Sequence, residues 1–577
     1  MIPSFGRTLT FAFFFAAFSF SGALAQRNAT TGEIPRIPLI AARHAMVVSQ
    51  ETRATRIGVQ VLERGGNAVD AAVAVGFAMA VTYPRAGNIG GGGFMLIHLA
   101  KNNKQVAIDY RETAPAATTR TTYLDAQGNA DPKKSRDLGT AVGVPGTVAG
   151  LALAHQKYGS GKFRLADLIA PAIVMARDGI PLEDDNADSL PYAREKFARW
   201  AASQKIFMRR DGNVLQQGDR FVQSDLAATL DLIARRGPRG FYEGRVAEQI
   251  ASAVRNAGGL MTAEDLKNYK PVEREVVRGT YRGYDIVSMP PPSSGGILLI
   301  QMLNILEAYQ LKPGDPASLH LMIEAMKLAY ADRAQFLGDP AVTIAPVAGL
   351  MSKRYAEERR ALINPDKATP PNEIKPGNPL PHEGSNTTHY SVVDRFGNVV
   401  SNTYTLNDSY GNGLVAEGTG VLLNNELDDF AAKPDAPNAF GLIGLNEANA
   451  PGPNKRPLSS MTPTIVFKDS KPFIVTGSPG GSRIITVVLQ VLVNVIDHKM
   501  TIADAVRTPR IHHQWLPDQV IIERGMPNVI VQALEARGQK PTLRPLLTSA
   551  NSIMIAPNGL RLGAADSRTR GALAAGY

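Results

Sequence analysis

The 577-residue sequence contains no cysteine. That absence excludes disulfides, thiolate nucleophiles and cysteine-ligated zinc together. Long apolar runs are also scarce. After the N-terminus the nearest approach to a membrane span is "IITVVLQVLVNVI" from Ile484, short of the roughly 18 residues that a spanning helix needs. Other signatures are missing too. No Gly-x-Ser-x-Gly elbow occurs, the closest stretch, Thr476 to Gly480, having threonine where the first glycine belongs. The nine histidines include no His-Glu-x-x-His, and the adjacent His512 and His513 are poorly spaced to share an ion, so no metal or other cofactor is expected. The formal net charge of +10 is scattered, without a basic stripe interleaved with aromatics, and reads as solubility rather than nucleic-acid binding.

What is present starts with "MIPSFGRTLTFAFFFAAFSFSGALAQ", one arginine, an apolar run and a small-x-small site before Gln26. This is the pattern of a secretory signal over residues 1–25, so an exported, periplasmic or extracellular protein without a membrane anchor is expected. With 44% hydrophobic residues the remainder is long enough to bury a large core. From Ala41 to Tyr83 the periodicity predicts two packed helices broken at Gly65-Gly66-Asn67. The glycines of "GNIGGGGFMLIHLA" lack a following Gly-Lys-Ser/Thr and precede a strand pattern, which favours close backbone packing over a phosphate loop. Residues from about Gly150 to Leu362 read as mostly amphipathic helix. Residues 364–386 carry six prolines and almost nothing apolar, predicting an exposed, extended segment. Beyond it strands dominate: "HYSVVD" and "VVSNTYTL" around "RFGN", a hairpin about Asp469-Ser470, and a last hairpin "SIMIAPNGLRLGA", with a long helix from Ser482. Strand groups with helices argue for antiparallel sheets layered with helices, an α+β fold.

With thiol, metal and serine-elbow chemistry disfavoured, a hydroxyl activated without histidine is left, and one solution is a threonine whose base is its own α-amine. Such an amine has a pKa of roughly 7.7–8.0, close to working pH. It requires a chain N-terminus, and "SNTTHYSVVD" offers Thr387 after a proline-rich stretch where a cut would free a strand without dismantling a core.

"NTTHYSVVDRFGNVVSNTYTLN", "LLNNELDDF", "GPNKRPLSSMTPTIV", "TGSPGGSRIIT" and "RIHHQWLPD", with "GNIGGGGFM", "DYRETAP" and "MPPPSSGG" upstream, together resemble the γ-glutamyltransferase family of N-terminal-nucleophile hydrolases. The resemblance implies a four-layer αββα sandwich and self-cleavage between Asn386 and Thr387. It gives a large subunit, 26–386, and a small one, 387–577, that stay together as a heterodimer. It also implies that Thr387 forms a γ-glutamyl ester, resolved by water or by an amino-acid or peptide amine, with glutathione-like compounds as donors. By the same resemblance Thr405 orients the nucleophile and Gly480 and Gly481 form the oxyanion hole. Arg111 clamps the substrate α-carboxylate with Ser459 and Ser460, and Asn407, Glu426 and Asp429 surround its ammonium. A buried zwitterion needs such partners, and arginine's fork suits a carboxylate. Glu426 stands where some members carry glutamine. Asp428 is left out, since adjacent residues of extended chain face opposite ways. Residues 433–456 resemble a lid loop; Phe440 stands where a tyrosine gate is often found and is left outside the catalytic set. The alternatives are a related acylase for a different acyl group, glutaryl-type or poly-γ-glutamate, and a non-catalytic exported binding protein.

Overall fold

The computed structural model describes residues 34–378, 388–545 and 547–577. The expected signal segment, the expected cleavage pair Asn386 and Thr387, and positions 379–386 of the proline-rich stretch lie outside the described residues.

Two seven-stranded antiparallel sheets face each other. In chain order the strands are β1 (Ile40–Ala42), β2 (Met46–Ser49), β3 (Gly92–Leu99), β4 (Lys104–Tyr110), β5 (Val272–Arg274), β6 (Val277–Tyr281) and β7 (Tyr284–Ser288). They continue as β8 (Thr388–Val393), β9 (Val399–Thr405), β10 (Thr464–Lys468), β11 (Lys471–Thr476), β12 (Ser552–Ile555), β13 (Arg561–Ala564) and β14 (Leu573–Gly576). One sheet runs β14-β2-β8-β9-β3-β4-β5, the other β1-β13-β12-β11-β10-β7-β6.

Alternation along the strands builds the layers. Val393, Val399, Ile465 and Val475 join the apolar layer between the sheets. Their neighbours Val392 and Val400 face a first helical layer that includes α1 (Thr52–Glu63), α2 (Ala68–Thr82) and α3 (Thr147–Tyr158). Val466 and Ile474 face a second layer that includes α4 (Gly295–Leu306), α5 (Pro316–Phe336) and α6 (Arg483–Ile496). A period of two with both faces apolar is what a sheet buried on both sides requires. The result is the expected αββα sandwich.

The break at Gly65 to Asn67 is where α1 ends and α2 begins, with Asn67 accepting from the Val69 and Asp70 amides and Asp70 returning the bond. The helix predicted to begin at Ala41 does not. Residues 40–42 and 46–49 are strands, because each is held by a sheet partner more than 300 residues away, such as β13 and β8, which local periodicity does not reveal. The mostly helical middle likewise contains β5 to β7. The proline-rich segment is less free than its composition suggests. Over 364–378 it has neither helix nor strand, yet Pro371 and Ile374 are buried. The Trp515 indole donates to Pro371 O at 3.0 Å, and Asp332 accepts from the Gly377 amide at 2.8 Å.

Candidate active site

The hairpin of β8 and β9 pairs Thr388 with Tyr404, and Thr405 follows Tyr404 at the end of the sheet where β8 begins. On its other side β9 pairs with β3, matching Thr405 to Gly92, while Gly93 matches Tyr110 on β4. Thr405 and Arg111 therefore leave the same sheet edge, one strand apart. The glycine run permits this closeness. A Cβ on Gly91 would stand 2.0 Å from Thr405 O, and one on Gly92 would stand 2.5 Å from both Tyr110 O and a Glu112 carboxylate oxygen. Close packing, not phosphate binding, is what these glycines serve.

A cavity of about 290 Å³ opens at this edge, and Thr405, Asn407, Gly480 and Gly481 all line it. Thr405 is buried rather than solvent-facing, and its hydroxyl accepts from the Asn407 amide at 2.8 Å. Asn407 adopts φ of +74°, and its side chain donates to Asn425 O at 3.0 Å. Gly480 and Gly481 lie between β11 and α6 with φ of +118° and +72°, a backbone that side chains resist. A Cβ on Gly480 would also meet Thr548 at 2.5 Å. Among the described residues neither glycine N–H has an acceptor, and both precede the positive end of a 14-residue helix, which favours a developing oxyanion.

The other predicted residues gather beside this cavity in a buried polar cluster. Arg111 is fully buried. Its Nε donates to Pro457 O at 3.1 Å, and its Nη2 to Leu458 O at 3.1 Å and Asp429 at 2.6 Å, while Nη1 donates to Glu426. The fork expected to grip a carboxylate is thus engaged by the two acids expected to hold an ammonium. Ser459 and Ser460 follow directly on the carbonyls that Arg111 binds. The "MPPPSSGG" motif pins that segment, Ser294 N donating to Ser459 O at 3.0 Å and Ser459 N to Pro292 O at 3.1 Å. Among the described residues the Ser460 hydroxyl and Asn407 Oδ1 are buried without partners, unusual for native polar atoms and suited to a polar ligand.

Residues 426–429 form a 3₁₀ turn, not extended chain. Asp428 still points elsewhere, since neighbours on a three-residue turn diverge by about 120°. It accepts from Ser135 at 2.5 Å and from the Ala439 amide at 2.7 Å, so it braces the 433–456 loop instead. Phe440 reaches the cavity wall.

Three neighbours escaped the sequence reading. Glu112, adjacent to Arg111 in the quoted "DYRETAP", is fully buried, and burial pushes its carboxyl up to about 7 against the pull of Arg111. Burial pushes Glu426 well above the usual carboxylate range, despite Arg111, with Glu112 and Asp429 adding repulsion. Burial opposes the Arg111 charge, but Glu426, Asp429 and Glu112 together hold it firmly protonated. Asn88 links the halves, donating to Thr405 O at 2.7 Å and accepting from Gly91 N at 2.8 Å. Gln50, whose Oε1 accepts from the Thr388 hydroxyl, donates to Ser549 at 2.9 Å and Thr569 at 3.1 Å. His389 is no base for its surroundings: burial lowers it to about 3, and Thr403 and Ser391 occupy its two nitrogens.

A raised carboxyl has a definite stability signature. A buried acid titrating near 7, against about 4.3 when unfolded, holds a proton in the native state that the unfolded state has lost. Stability therefore falls as pH rises between those values. Glu112→Gln removes that penalty. The melting temperature of the variant, compared with the parent, is expected to improve steadily from pH 5 to pH 8; a difference independent of pH would refute the assignment.

Facing antiparallel sheets between helical layers, with a hydroxyl and paired glycine amides at one sheet end, constitute the architecture of the N-terminal-nucleophile hydrolases. Solved structures agree. The cephalosporin acylase from Bacillus halodurans superposes with a TM-score of 0.84 at 28% identity, over 98% of this chain and 99% of that one. The γ-glutamyltranspeptidase of Helicobacter pylori gives 0.55 at 49% identity, over 58% of this chain and 95% of that one. The glutathione hydrolase proenzyme of Escherichia coli (strain K12) is 52% identical over 542 residues, 93% of each chain. The γ-glutamyltranspeptidase family model matches residues 54–576, and the chain belongs to that family.

Proposed function

We propose that the chain is an exported, self-processing γ-glutamyltransferase and glutathione hydrolase. Cleavage between Asn386 and Thr387 gives subunits of 361 and 191 residues that remain one heterodimer. The shared core supports their staying together, since β8 and β9 of the small subunit lie between β2 and β3 of the large one. No helix among the described residues is long and apolar enough to cross a membrane.

The observation that carries the reading is the convergence of Thr405, Asn407, Gly480 and Gly481 on one cavity at the sheet end where β8 starts. Thr387 attacks the γ-carbonyl while its α-amine accepts the proton, and the Gly480 and Gly481 amides stabilise the tetrahedral oxygen. The Thr387 α-ammonium returns that proton to the substrate nitrogen as the C–N bond breaks, the amine half departs, and water or a second amine resolves the ester. Arg111, Ser459 and Ser460 serve the substrate carboxylate; among the described residues Nη1 of Arg111 makes one hydrogen bond, to Glu426, with Glu112 4.0 Å away. Asn407, Glu426 and Asp429 serve the ammonium. No cofactor enters this scheme.

The acylase fold match makes glutaryl the competing acyl group. Glutaryl lacks the ammonium, and the carboxyl oxygens of Glu426, Asp429 and Glu112 gathered around a single arginine offer hydrogen-bond acceptors suited to one. Denaturing gels of the purified protein should show fragments of about 39 and 20 kDa, at the mean residue mass of a 61.8-kDa chain of 577 residues. A γ-glutamyl anilide should be turned over at least tenfold faster than its glutaryl analogue. An active protein that remains one chain, or a preference for glutaryl, would overturn the reading.

A further inference from the structure

Five charged side chains line the cavity: Arg85, Asp185, Asp408, Arg483 and Arg568. Four of them are neutralised within the protein. Arg85 Nη1 donates to both oxygens of Asp185 at 2.8 Å, and Asp408 faces Lys196 at 3.5 Å. Arg568 reaches Glu523 at 2.7 Å and Asp566 at 3.2 Å.

Arg483 differs. Among the described residues it meets no carboxylate; its Nε donates to Gly480 O at 3.2 Å, and its two terminal nitrogens make no bond. It opens α6, two residues after Gly481, so it is tied to the backbone that faces the reacting carbonyl. Burial and the nearby cation Arg544 both weaken its hold on a proton, a sign of a position short of negative charge. A half-buried guanidinium with a free planar edge is suited to a carboxylate. The acyl half of the substrate already has its cation in Arg111, which lies in the separate buried cluster.

We propose that Arg483 binds a carboxylate carried by the amine half of the substrate, on the leaving group of the donor and on the incoming acceptor alike. It is then a specificity-determining residue that selects amino acids and peptides with a free carboxylate over neutral amines. This inference rests on the γ-glutamyl reading above.

The test uses the mature two-subunit enzyme and two matched pairs: γ-glutamyl-3-carboxy-4-nitroanilide against γ-glutamyl-4-nitroanilide as donors, and glycylglycine against glycylglycinamide as acceptors. The wild type should favour the carboxylated member of each pair by kcat/KM. Arg483→Gln should lower that preference about tenfold, and Arg483→Lys, which keeps the charge, should restore much of it. A preference unchanged within twofold in Arg483→Gln would overturn the proposal. So would a wild type that prefers the carboxylated members by less than twofold, a result that needs no variant. A wild type inert toward both anilides would instead overturn the γ-glutamyl reading itself.

Discussion

Thr387→Ala should migrate as one chain of about 59 kDa after loss of residues 1–25 and turn over γ-glutamyl amides at least about 10⁴-fold more slowly than the wild type. Thr388→Ala should still yield two fragments. Only the residue that acquires the new terminus can use its own α-amine as base, and that amine titrates near working pH without assistance. The Thr388 hydroxyl has a different task. It donates to Gln50, which in turn holds Ser549 and Thr569, so it anchors the first residue of β8 against the far end of the chain. Removing it leaves a buried acceptor on Gln50 unsatisfied, a loss of about 1–3 kcal/mol in stability. Gel analysis and anilide turnover of the two variants side by side check this; a Thr388→Ala protein that stays uncut beside a cleaved Thr387→Ala protein would reverse the assignment.

The parts of this fold that were legible in the sequence are those whose pattern is local. The hairpin about Asp469-Ser470 was, because both residues take positive φ, as a tight turn between apolar alternations requires. The helix after Ser482 and the β8–β9 hairpin were legible for the same reason. Three short strands were not. β14, "LAAG", has too few apolar residues to show a period, and β1 and β2 merge with the helical pattern that follows them; all three are strands because distant partners supply their hydrogen bonds. At the site, the glycine run could be read as close packing because a strand pattern followed it. The cluster of Arg111, Glu426 and Asp429 could not be read from spacing at all, since more than 300 residues separate the arginine from the acids, and it rested on the family resemblance. Glu112 was missed although it adjoins Arg111, because burial, the property that sets it apart, leaves no local mark.

That burial makes Arg111 the position where a single substitution should damage the fold most. Its guanidinium satisfies two backbone carbonyls and two carboxylates with no solvent nearby. Arg111→Leu leaves Asp429 without its 2.6 Å partner, and breaking a buried ion pair from one side costs about 3–5 kcal/mol. The comparison belongs in a Thr387→Ala background, so that every variant unfolds as the same uncut chain. Without the cation the acids bind protons more tightly when folded than when unfolded, so the defect should be smaller at pH 5 and grow toward pH 8. Arg111→Lys should fall between, since one ammonium with three donors cannot reproduce a planar fork that serves four acceptors. Adding Glu426→Gln and Asp429→Asn to Arg111→Leu should return part of the lost stability, because the uncompensated charge, more than the missing bonds, is what the interior penalises. An Arg111→Leu protein that melts within a degree of its parent at pH 8 would show that the acids find other partners. The arginine would then serve the ligand alone, with no part in holding the site together.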